Sequence, residues 1–253
     1  MTDNVLRREE IRGLSHLVMD DGANALTPTL MTALCSAVGE LRTQGAPPIL
    51  LRSSHHDVFC PGWDLKALAG ADENSVAEFL RGFNRLIVDL FSYPGPTAVA
   101  IEGHAVAGGC LLALCCDLRI MEHGRPRIGL SELNLGVPVP ASSLMMLRAR
   151  LAPNVVEELV VGGDGCSAER ARDMGLVHRC SEPGQTVTKT ERELNRLASK
   201  PAAAFAATKQ YLLADTWAMM SEVRPDDDRA FLECWFSEET QRRIGGMVER
   251  LGG

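Results

Sequence analysis

The sequence predicts an α/β fold, and three features of the chain support this prediction. Apolar segments of strand length, such as residues 48–52 and 97–103, alternate with longer segments in which apolar residues recur at helical spacing. Both strand-like segments lead into turns that contain glycine. From residue 142 onward the pattern is almost entirely helical. Such alternation is typical of strands joined by helical crossovers, so we expect an α/β core followed by a helical C-terminal region.

The first predicted elements are a strand and a long helix. Residues 12–19 alternate between apolar and other residues enough to form a strand. Thr27 followed by Pro28 is a typical helix start, because threonine caps the first turn and proline needs no N–H there. We expect this helix to continue to about Gln44, where Gly45 and the prolines after it end the helical pattern.

The middle of the chain is predicted to alternate between strands and helices. Residues 53–73 are expected to be loop-like with one short helix. Residues 74–91 have apolar positions three and four apart, which predicts an amphipathic helix. Strands near 97–103 and 116–121 are then expected on either side of a short apolar helix that begins at Gly108.

Composition and charge exclude several classes of function. The 253 residues suit one catalytic domain with a sizeable core. The net charge is −7 and there is no basic stripe, so a nucleic-acid partner is not expected. No apolar run spans a bilayer and the first residues do not resemble a signal peptide, so we expect no membrane partner. The eight cysteines lack metal-ligand spacing, and we expect reduced thiols in a cytoplasmic protein.

The most informative segment of the chain is residues 103–111, with the sequence GHAVAGGCL. It joins the end of an apolar strand to the start of an apolar helix. Glycine has no side chain, so a ligand can approach this backbone closely. Free N–H groups at a helix start can bind an anion, or an oxygen that becomes negative during a reaction. A tight turn with close helix packing has the same pattern, so this segment alone does not decide the function.

A second segment of this kind, residues 58–66 with the sequence VFCPGWDLK, follows the strand at 48–52. Together the two segments resemble the signature segments of the crotonase superfamily, the enoyl-CoA hydratases and isomerases. The resemblance covers nearly the whole chain, with further matching segments at residues 24–26, 116–120, 128–133 and 168–177.

This resemblance implies a fold, a substrate and an assembly. The fold would be a crotonase-like spiral of ββα units over residues 1–195. Residues 196–253 would form a helical region that serves oligomerisation and covers the active site. The substrate would be an acyl-CoA, and the assembly a homotrimer or a dimer of trimers.

The resemblance also assigns roles within the site. The backbone N–H groups of Trp63 and Gly108 would form an oxyanion hole for the thioester oxygen. Glu132 would be the base, and its apolar neighbours favour a raised pKa; a carboxylate at a helix start after Ser131 is the alternative. We expect contacts with the substrate and its coenzyme A part from Cys60, Gly62, Asp64, Leu65, Lys66, Gly109, Leu111 and Lys209.

Leu111 is the departure that bears most on the reaction. Hydratases of this superfamily carry a second glutamate there, whereas leucine neither holds water nor transfers a proton. Moving a double bond needs only one base, so the chain resembles the Δ3-Δ2-enoyl-CoA isomerase branch most. Residues 137–143 also lack the Gly-Gly-Thr-Gln run of typical hydratases, and Glu102 and Ala107 replace the usual Asn and Gly.

Two other functions remain open at this stage. One is a different crotonase reaction, by a hydratase, lyase, hydrolase or decarboxylase that uses Glu132. The other is a non-catalytic protein that binds acyl-CoA. We expect neither metal nor redox cofactor, and coenzyme A only as part of the substrate. The pair His55–His56 is expected in a solvated loop rather than on a metal. The helical aromatic stripe of Phe231, Trp235 and Phe236 is expected in the core or an interface rather than against a ligand.

Overall fold

Two β-sheets form the centre of the protein. The computed structural model describes residues 5–221 and 225–252, without the side chains of residues 221, 225, 226, 251 and 252. The strands within these residues are β1 (Leu6–Ile11), β2 (Leu14–Met19), β3 (Ile49–Ser53), β4 (Val58–Cys60), β5 (Thr97–Ile101), β6 (His104–Val106), β7 (Leu118–Glu122), β8 (Ile128–Gly129) and β9 (Arg179–Ser181). The large sheet has the order β1-β2-β3-β5-β7-β9, and the small sheet has the order β4-β6-β8.

Helices surround both sheets. They are α1 (Pro28–Thr43), α2 (Leu65–Leu68), α3 (Glu73–Phe91), α4 (Gly108–Leu114), α5 (Glu132–Leu135), α6 (Ala141–Arg150), α7 (Pro153–Gly162), α8 (Ala168–Met174), α9 (Thr186–Ala198), α10 (Ala202–Ser221), α11 (Pro225–Trp235) and α12 (Glu238–Gly252). Helix α1 begins as predicted, because the Thr27 side chain accepts a hydrogen bond from the N–H of Leu30.

The chain repeats one local pattern three times. A strand of the large sheet is followed by a short strand of the small sheet and then by a helix, in the units β3-β4-α2, β5-β6-α4 and β7-β8-α5. The three short strands are parallel neighbours. The turns that follow them, which contain or precede Trp63, Gly108 and Glu132, are therefore brought to the same edge of the small sheet. This edge is where the candidate site forms.

The large sheet is covered on both faces. Leu17, Leu51 and Val99 belong to the main core cluster, which α1, α3 and α4 complete. Alternate positions such as Leu50 and Ala98 lie in a smaller cluster, where α9 covers the other face. This alternation of side chains between the two faces is the ordinary consequence of strand geometry.

The C-terminal helices pack back onto the earlier part of the chain. Helix α10 lies against α6, α11 lies against α3, and α12 contacts both α2 and α5. Residue 195, the predicted end of the spiral core, lies inside α9. The division into a core of residues 1–195 and a region 196–253 stays a prediction.

The structure differs from the sequence prediction mainly in its short strands. Strand β1 is a half-exposed edge strand with the charged sequence LRREEI, which hid it from an analysis based on apolar residues. The small sheet has strands of two or three residues, which are too short to show a period. Strand β9 is equally short and lies in a region predicted to be nearly all helical, so that prediction was wrong at residues 179–181.

Two further properties concern the whole described chain. Within residues 5–221 and 225–252, none of the helices combines the length and apolar composition needed to cross a membrane. All eight cysteines are free thiols, five of them buried.

Candidate active site

A cavity of about 1030 Å³ lies where the three turns meet the C-terminal helices. Its wall includes the turns after β4, β6 and β8, the loop before α1, and one side each of α11 and α12. Most of the lining is apolar. The residues predicted for the site that line this cavity are Trp63, Asp64, Leu65, Lys66, Gly108, Leu111 and Glu132.

Trp63 and Gly108 occupy adjacent turns. A β-carbon added at Gly108 would lie 3.2 Å from Cδ1 of Trp63. The turn at Trp63 is fixed by Leu26, whose N–H donates to Gly62 O at 2.7 Å and whose carbonyl accepts from the Asp64 N–H at 3.1 Å. Among the described residues, the N–H groups of Trp63 and Gly108 donate to no protein acceptor. Both donors are therefore available to a ligand oxygen at this wall of the cavity.

Ala107, directly before Gly108, has a strained backbone. Its φ is +50° and its ψ is −123°, a conformation that suits glycine far better than alanine. The hydrogen bond from the Ala107 N–H to Gly129 O, at 2.9 Å, ties this turn to the next unit of the spiral. Such strain persists only where the surroundings fix the backbone, so the position of Gly108 is well defined.

Three residues predicted to contact the substrate lie behind this wall instead. Cys60 is buried in β4, and burial raises the pKa of its thiol to about 12. A β-carbon added at Gly109 would lie only 2.0 Å from Cys60 O. Gly62 has φ +97°, which the turn before Trp63 requires. None of the three lines the cavity, and these residues allow the two turns to pack closely together; their expected contacts with substrate stay a prediction.

Glu132, the first residue of α5, is an acid of the cavity whose pKa is strongly shifted. Burial raises the pKa of Glu132 from 4.5 to about 7, although hydrogen bonds from backbone N–H groups act in the opposite direction. One of these runs from the Ser131 N–H to Glu132 Oε2 at 2.9 Å. No cation among the described residues contributes to the shift. A carboxyl group with a pKa near neutrality can both accept a proton and return it.

Helix α12 holds α5 in place. Thr240 Oγ1 donates to Gly136 O at 3.0 Å, and a β-carbon at Gly136 would lie 2.4 Å from that hydroxyl. Arg243 donates to Asn134 O at 2.9 Å, while the Asn134 amide donates to Gly163 O at 2.7 Å. The short helix that carries the glutamate is therefore fixed from both sides by residues distant in sequence.

Leu111 is completely buried and lines the cavity from α4. The lining holds two carboxylates besides Glu132, and each has a local partner. Asp64 accepts from the N–H groups of Lys66 and Ala67 and so caps α2. Asp21 Oδ2 accepts from the Thr27 hydroxyl at 3.4 Å. Leu111 itself supplies no proton-transfer group.

Aromatic side chains form one end of the cavity. The Trp63 ring is at the centre of a cluster, with ring centroids 4.8 to 5.8 Å away in Phe79, Phe83, Phe231 and Trp235. The expectation that Phe231 and Trp235 belong to the core is correct for their burial but incomplete, because both also line the cavity. Aromatic rings provide a large apolar surface for a bound chain.

Comparison with known proteins places this geometry in a family. The family model described as "Enoyl-CoA hydratase/isomerase" matches residues 11–252. The chain belongs to the enoyl-CoA hydratase/isomerase family, which is the crotonase family. The predicted crotonase-like fold is therefore confirmed, and the protein is an enzyme of the enoyl-CoA hydratase/isomerase type that acts on acyl-CoA.

The names of individual relatives include both hydratases and isomerases. The enoyl-CoA isomerase/hydratase fer4 of Mycosarcoma maydis is 30% identical over 195 residues, which are 73% of this chain and 71% of that protein. A putative enoyl-CoA hydratase of Thermus thermophilus is 29% identical, covering 76% of each chain. The human mitochondrial delta3-delta2-enoyl-CoA isomerase has a structure similar with a TM-score of 0.93, covering 98% of each chain at 23% identity, and so supports the fold.

Lys209, expected to contact the coenzyme, lies elsewhere in this crotonase fold. Its side chain is 6% exposed, and its Nζ is 2.6 Å from Asp117 Oδ2 and 3.3 Å from Gly95 O. Arg150 contacts the other oxygen of Asp117 at 3.2 Å. Lys209 is thus half of a buried ion pair that joins α10 to the large sheet and does not line the cavity, and its contact with the coenzyme stays a prediction.

Sequence reasoning missed the basic residues that line the cavity from α12. These are Arg243 and Arg250, seven residues apart on one face of the helix, and they accompany Lys66 from α2. The packing of α12 against α2 and α5 brings them to the site. The histidine pair His55–His56 does not line the cavity. In the described part of the chain, no cluster of three or more His, Cys, Asp or Glu side chains has metal-binding geometry.

Proposed function

We propose that this enzyme is an enoyl-CoA isomerase that moves a C=C bond of a 3-enoyl thioester into conjugation with the carbonyl group. The observation that carries this proposal is the Glu132 carboxyl group, which has a pKa of about 7 and no side-chain partner among the described residues, in a mainly apolar cavity where Leu111 also faces the ligand space. Proton transfer between two carbons needs one such group, whereas adding water needs a proton acceptor and donor around a bound water molecule.

The proposed reaction has two proton transfers. Ionised Glu132 takes a proton from C2 of the substrate, and the C–H electron pair moves into a dienolate. The oxygen of this dienolate accepts hydrogen bonds from the N–H groups of Trp63 and Gly108, which would form the oxyanion hole. Glu132 then returns the proton to C4, which leaves the double bond between C2 and C3. The atoms and charges balance without metal or redox cofactor.

The charged part of the substrate would lie at the basic side of the cavity. Lys66, Arg243 and Arg250 line it, and guanidinium groups bind phosphate oxygens well. Arg243 also holds Asn134 O and Glu239. We propose that these three cations, rather than Lys209, face the phosphates of coenzyme A.

We also propose that the enzyme is a homotrimer or a dimer of trimers in the cytoplasm. Helix α10 supports the assembly, because its outer face exposes apolar residues: Tyr211 is 78% exposed, Leu212 77% and Met219 41%. Large exposed apolar patches are typical of protein interfaces. The free thiols of all eight cysteines are compatible with a reducing compartment.

The experiment that tests the isomerase proposal compares two reactions on the unmodified protein. Isomerisation of 3-enoyl-CoA and hydration of 2-enoyl-CoA are measured with short and long acyl chains. We expect kcat/KM for isomerisation to exceed that for hydration at every length. Faster hydration throughout would establish a hydratase instead, and binding without turnover of either substrate would establish an acyl-CoA-binding protein.

A further inference from the structure

Ala107 is held in its strained conformation from three sides. Its N–H donates to Gly129 O at 2.9 Å, and its carbonyl accepts the first hydrogen bond of α4, from the Leu111 N–H at 3.1 Å. Its methyl group lies against the turn before Trp63, since a β-carbon added at Gly62 would be 3.1 Å from the β-carbon of Ala107. Ala107 therefore joins its own unit of the spiral to both of the others.

This alanine is unusual among the residues with a positive φ. In the described part of the chain, ten glycines have a positive φ, and the other residues that have one are Arg12, Asn24, Ala46 and Ala107. Of these four, Ala107 is the one that lines the active-site cavity. Glycine at this position would be free of strain. The β-carbon of Ala107 therefore lowers the stability of the fold at a place where the backbone faces a ligand, and such strain at a site can be part of its mechanism.

The β-carbon of Ala107 affects the two neighbouring N–H donors in two ways. It restricts φ and ψ at this position, where glycine would have several conformations of similar energy. It also fills the space between the two turns. A β-carbon added at Gly62 would lie 3.2 Å from Gly108 N as well as 3.1 Å from the Ala107 methyl group. The methyl group thus separates the turn of Trp63 from the turn of Gly108 and limits the movement of one against the other.

We propose that Ala107 is a positioning residue of the oxyanion hole, and that its methyl group fixes the N–H groups of Trp63 and Gly108 relative to one another. This inference rests on the proposed function, in which these two groups bind the thioester oxygen. Such donors accelerate a reaction because they are in place before negative charge develops on the oxygen, so that no reorganisation is needed. The strained alanine therefore lowers the stability of the fold and raises the rate.

Removing the methyl group tests this proposal. Glycine adopts a positive φ without strain, so Ala107→Gly should fold with a thermal midpoint equal to or above that of the unmodified enzyme. Ala46→Gly is the matched control, because Ala46 has φ +54° and does not line the active-site cavity. Ala107→Ser keeps the β-carbon and should behave like the unmodified enzyme.

The direct measurement is the infrared C=O stretch of bound hexanoyl-CoA that carries ¹³C at the thioester carbonyl. Hydrogen bonds to the carbonyl oxygen lower this frequency, and the measurement needs no turnover. We expect binding to lower the frequency in the unmodified protein, Ala46→Gly and Ala107→Ser, and to lower it less in Ala107→Gly. The kcat of Ala107→Gly for isomerisation of 3-hexenoyl-CoA should fall roughly tenfold or more, with KM within threefold, because the donors act mainly on the charged transition state.

The outcomes separate this proposal from the proposed function. A frequency shift in Ala107→Gly equal to that of the unmodified protein, or an unchanged kcat in this variant, would overturn the role of Ala107 alone. A loss of the same size in Ala107→Ser or Ala46→Gly would also overturn it. A shift that depends on Ala107, in a protein that isomerises no 3-enoyl-CoA, would support the positioning role and contradict the isomerase. No binding of hexanoyl-CoA, or no shift in the unmodified protein, would contradict both the positioning role and the oxyanion hole.

Discussion

Two partly buried carboxylates in this protein have opposite surroundings. Burial alone would raise the pKa of Asp117, but the charges of Lys209 and Arg150 outweigh it, and the pKa lies below its ordinary value. Glu132 is also largely buried, yet no cation in the described part of the chain compensates, and its pKa rises to about 7. The comparison teaches that the neighbouring cations, and not burial, decide whether a buried acid holds the fold together or remains able to exchange a proton.

The two acids also differ in what they connect. Asp117 accepts hydrogen bonds from the N–H and hydroxyl of Thr97 and joins β5, α6 and α10. Among the described residues, Glu132 has hydrogen bonds only from the backbone at the start of its own helix, and its side chain lines the cavity. The two variants Asp117→Asn and Glu132→Gln should therefore affect different properties of the enzyme.

The largest expected effect is on catalysis. Glu132→Gln removes the base while keeping the shape of the side chain, so kcat/KM for isomerisation should fall by roughly 10²- to 10⁴-fold. The rate is measured on a 3-enoyl-CoA with protein whose circular dichroism matches the unmodified enzyme. Activity within a factor of three of the unmodified enzyme would remove Glu132 from the mechanism.

The matching change at Asp117 should affect stability. Asp117→Asn leaves Lys209 and Arg150 buried without a negative partner, so the free energy of unfolding should fall by about 3–5 kcal/mol. Denaturant unfolding measures this loss. The double variant Asp117→Asn/Lys209→Met is the control, and it should recover part of the loss because one unpaired charge is gone. A single variant as stable as the unmodified enzyme would contradict the structural role.

A smaller effect is expected on the stability of Glu132→Gln. This variant should gain stability, whereas Asp117→Asn should lose it. The folded pKa of Glu132 lies above its ordinary value, so its favourable contribution is complete below pH 4.5 and is lost as the pH rises through about 7. Glutamine resembles the protonated acid. At pH 8 the variant should be more stable than the unmodified enzyme by up to about 3 kcal/mol, with no difference at pH 4. Equal stabilities at both pH values would contradict a raised pKa.

The smallest change is expected in the pH dependence of the rate when a second carboxyl group is placed beside Glu132. Leu111→Glu places two carboxylates in one cavity, which raises the pKa of both, so the acidic limb of the pH–rate profile should move up by about one unit. Hydration of 2-enoyl-CoA should also increase. Leu111→Met is the volume-matched control and should leave the limb in place. A profile unchanged by the glutamate would show that the two side chains do not interact.

Sequence alone predicted the parts of this protein that depend on local pattern. Helices α1 and α3 begin and end within about one residue of their predicted bounds, because their caps and apolar spacing are local signals. The turns at Trp63 and Gly108 were recognisable from glycine between a strand and a helix. The raised pKa of Glu132 followed from its apolar neighbours.

The remaining parts depend on contacts between distant segments. The small sheet consists of strands too short to have a period, yet it alone brings the three turns together. The ion pair of Lys209 could not be foreseen, because its partner Asp117 is 92 residues earlier in the chain. Arg243 and Arg250 reach the cavity because α12 packs against α2 and α5.

The measurement that tests the central claim most directly is a titration of the Glu132 carboxyl group. Protein labelled with ¹³C at the side-chain carboxyl of glutamate is followed by NMR from pH 4 to pH 9, and Glu132→Gln identifies the signal by its disappearance. The account predicts a midpoint near pH 7, since no cation offsets the burial of this acid. A midpoint near 4.5 would contradict it, because Glu132 would then be an ordinary ionised carboxylate throughout the neutral range.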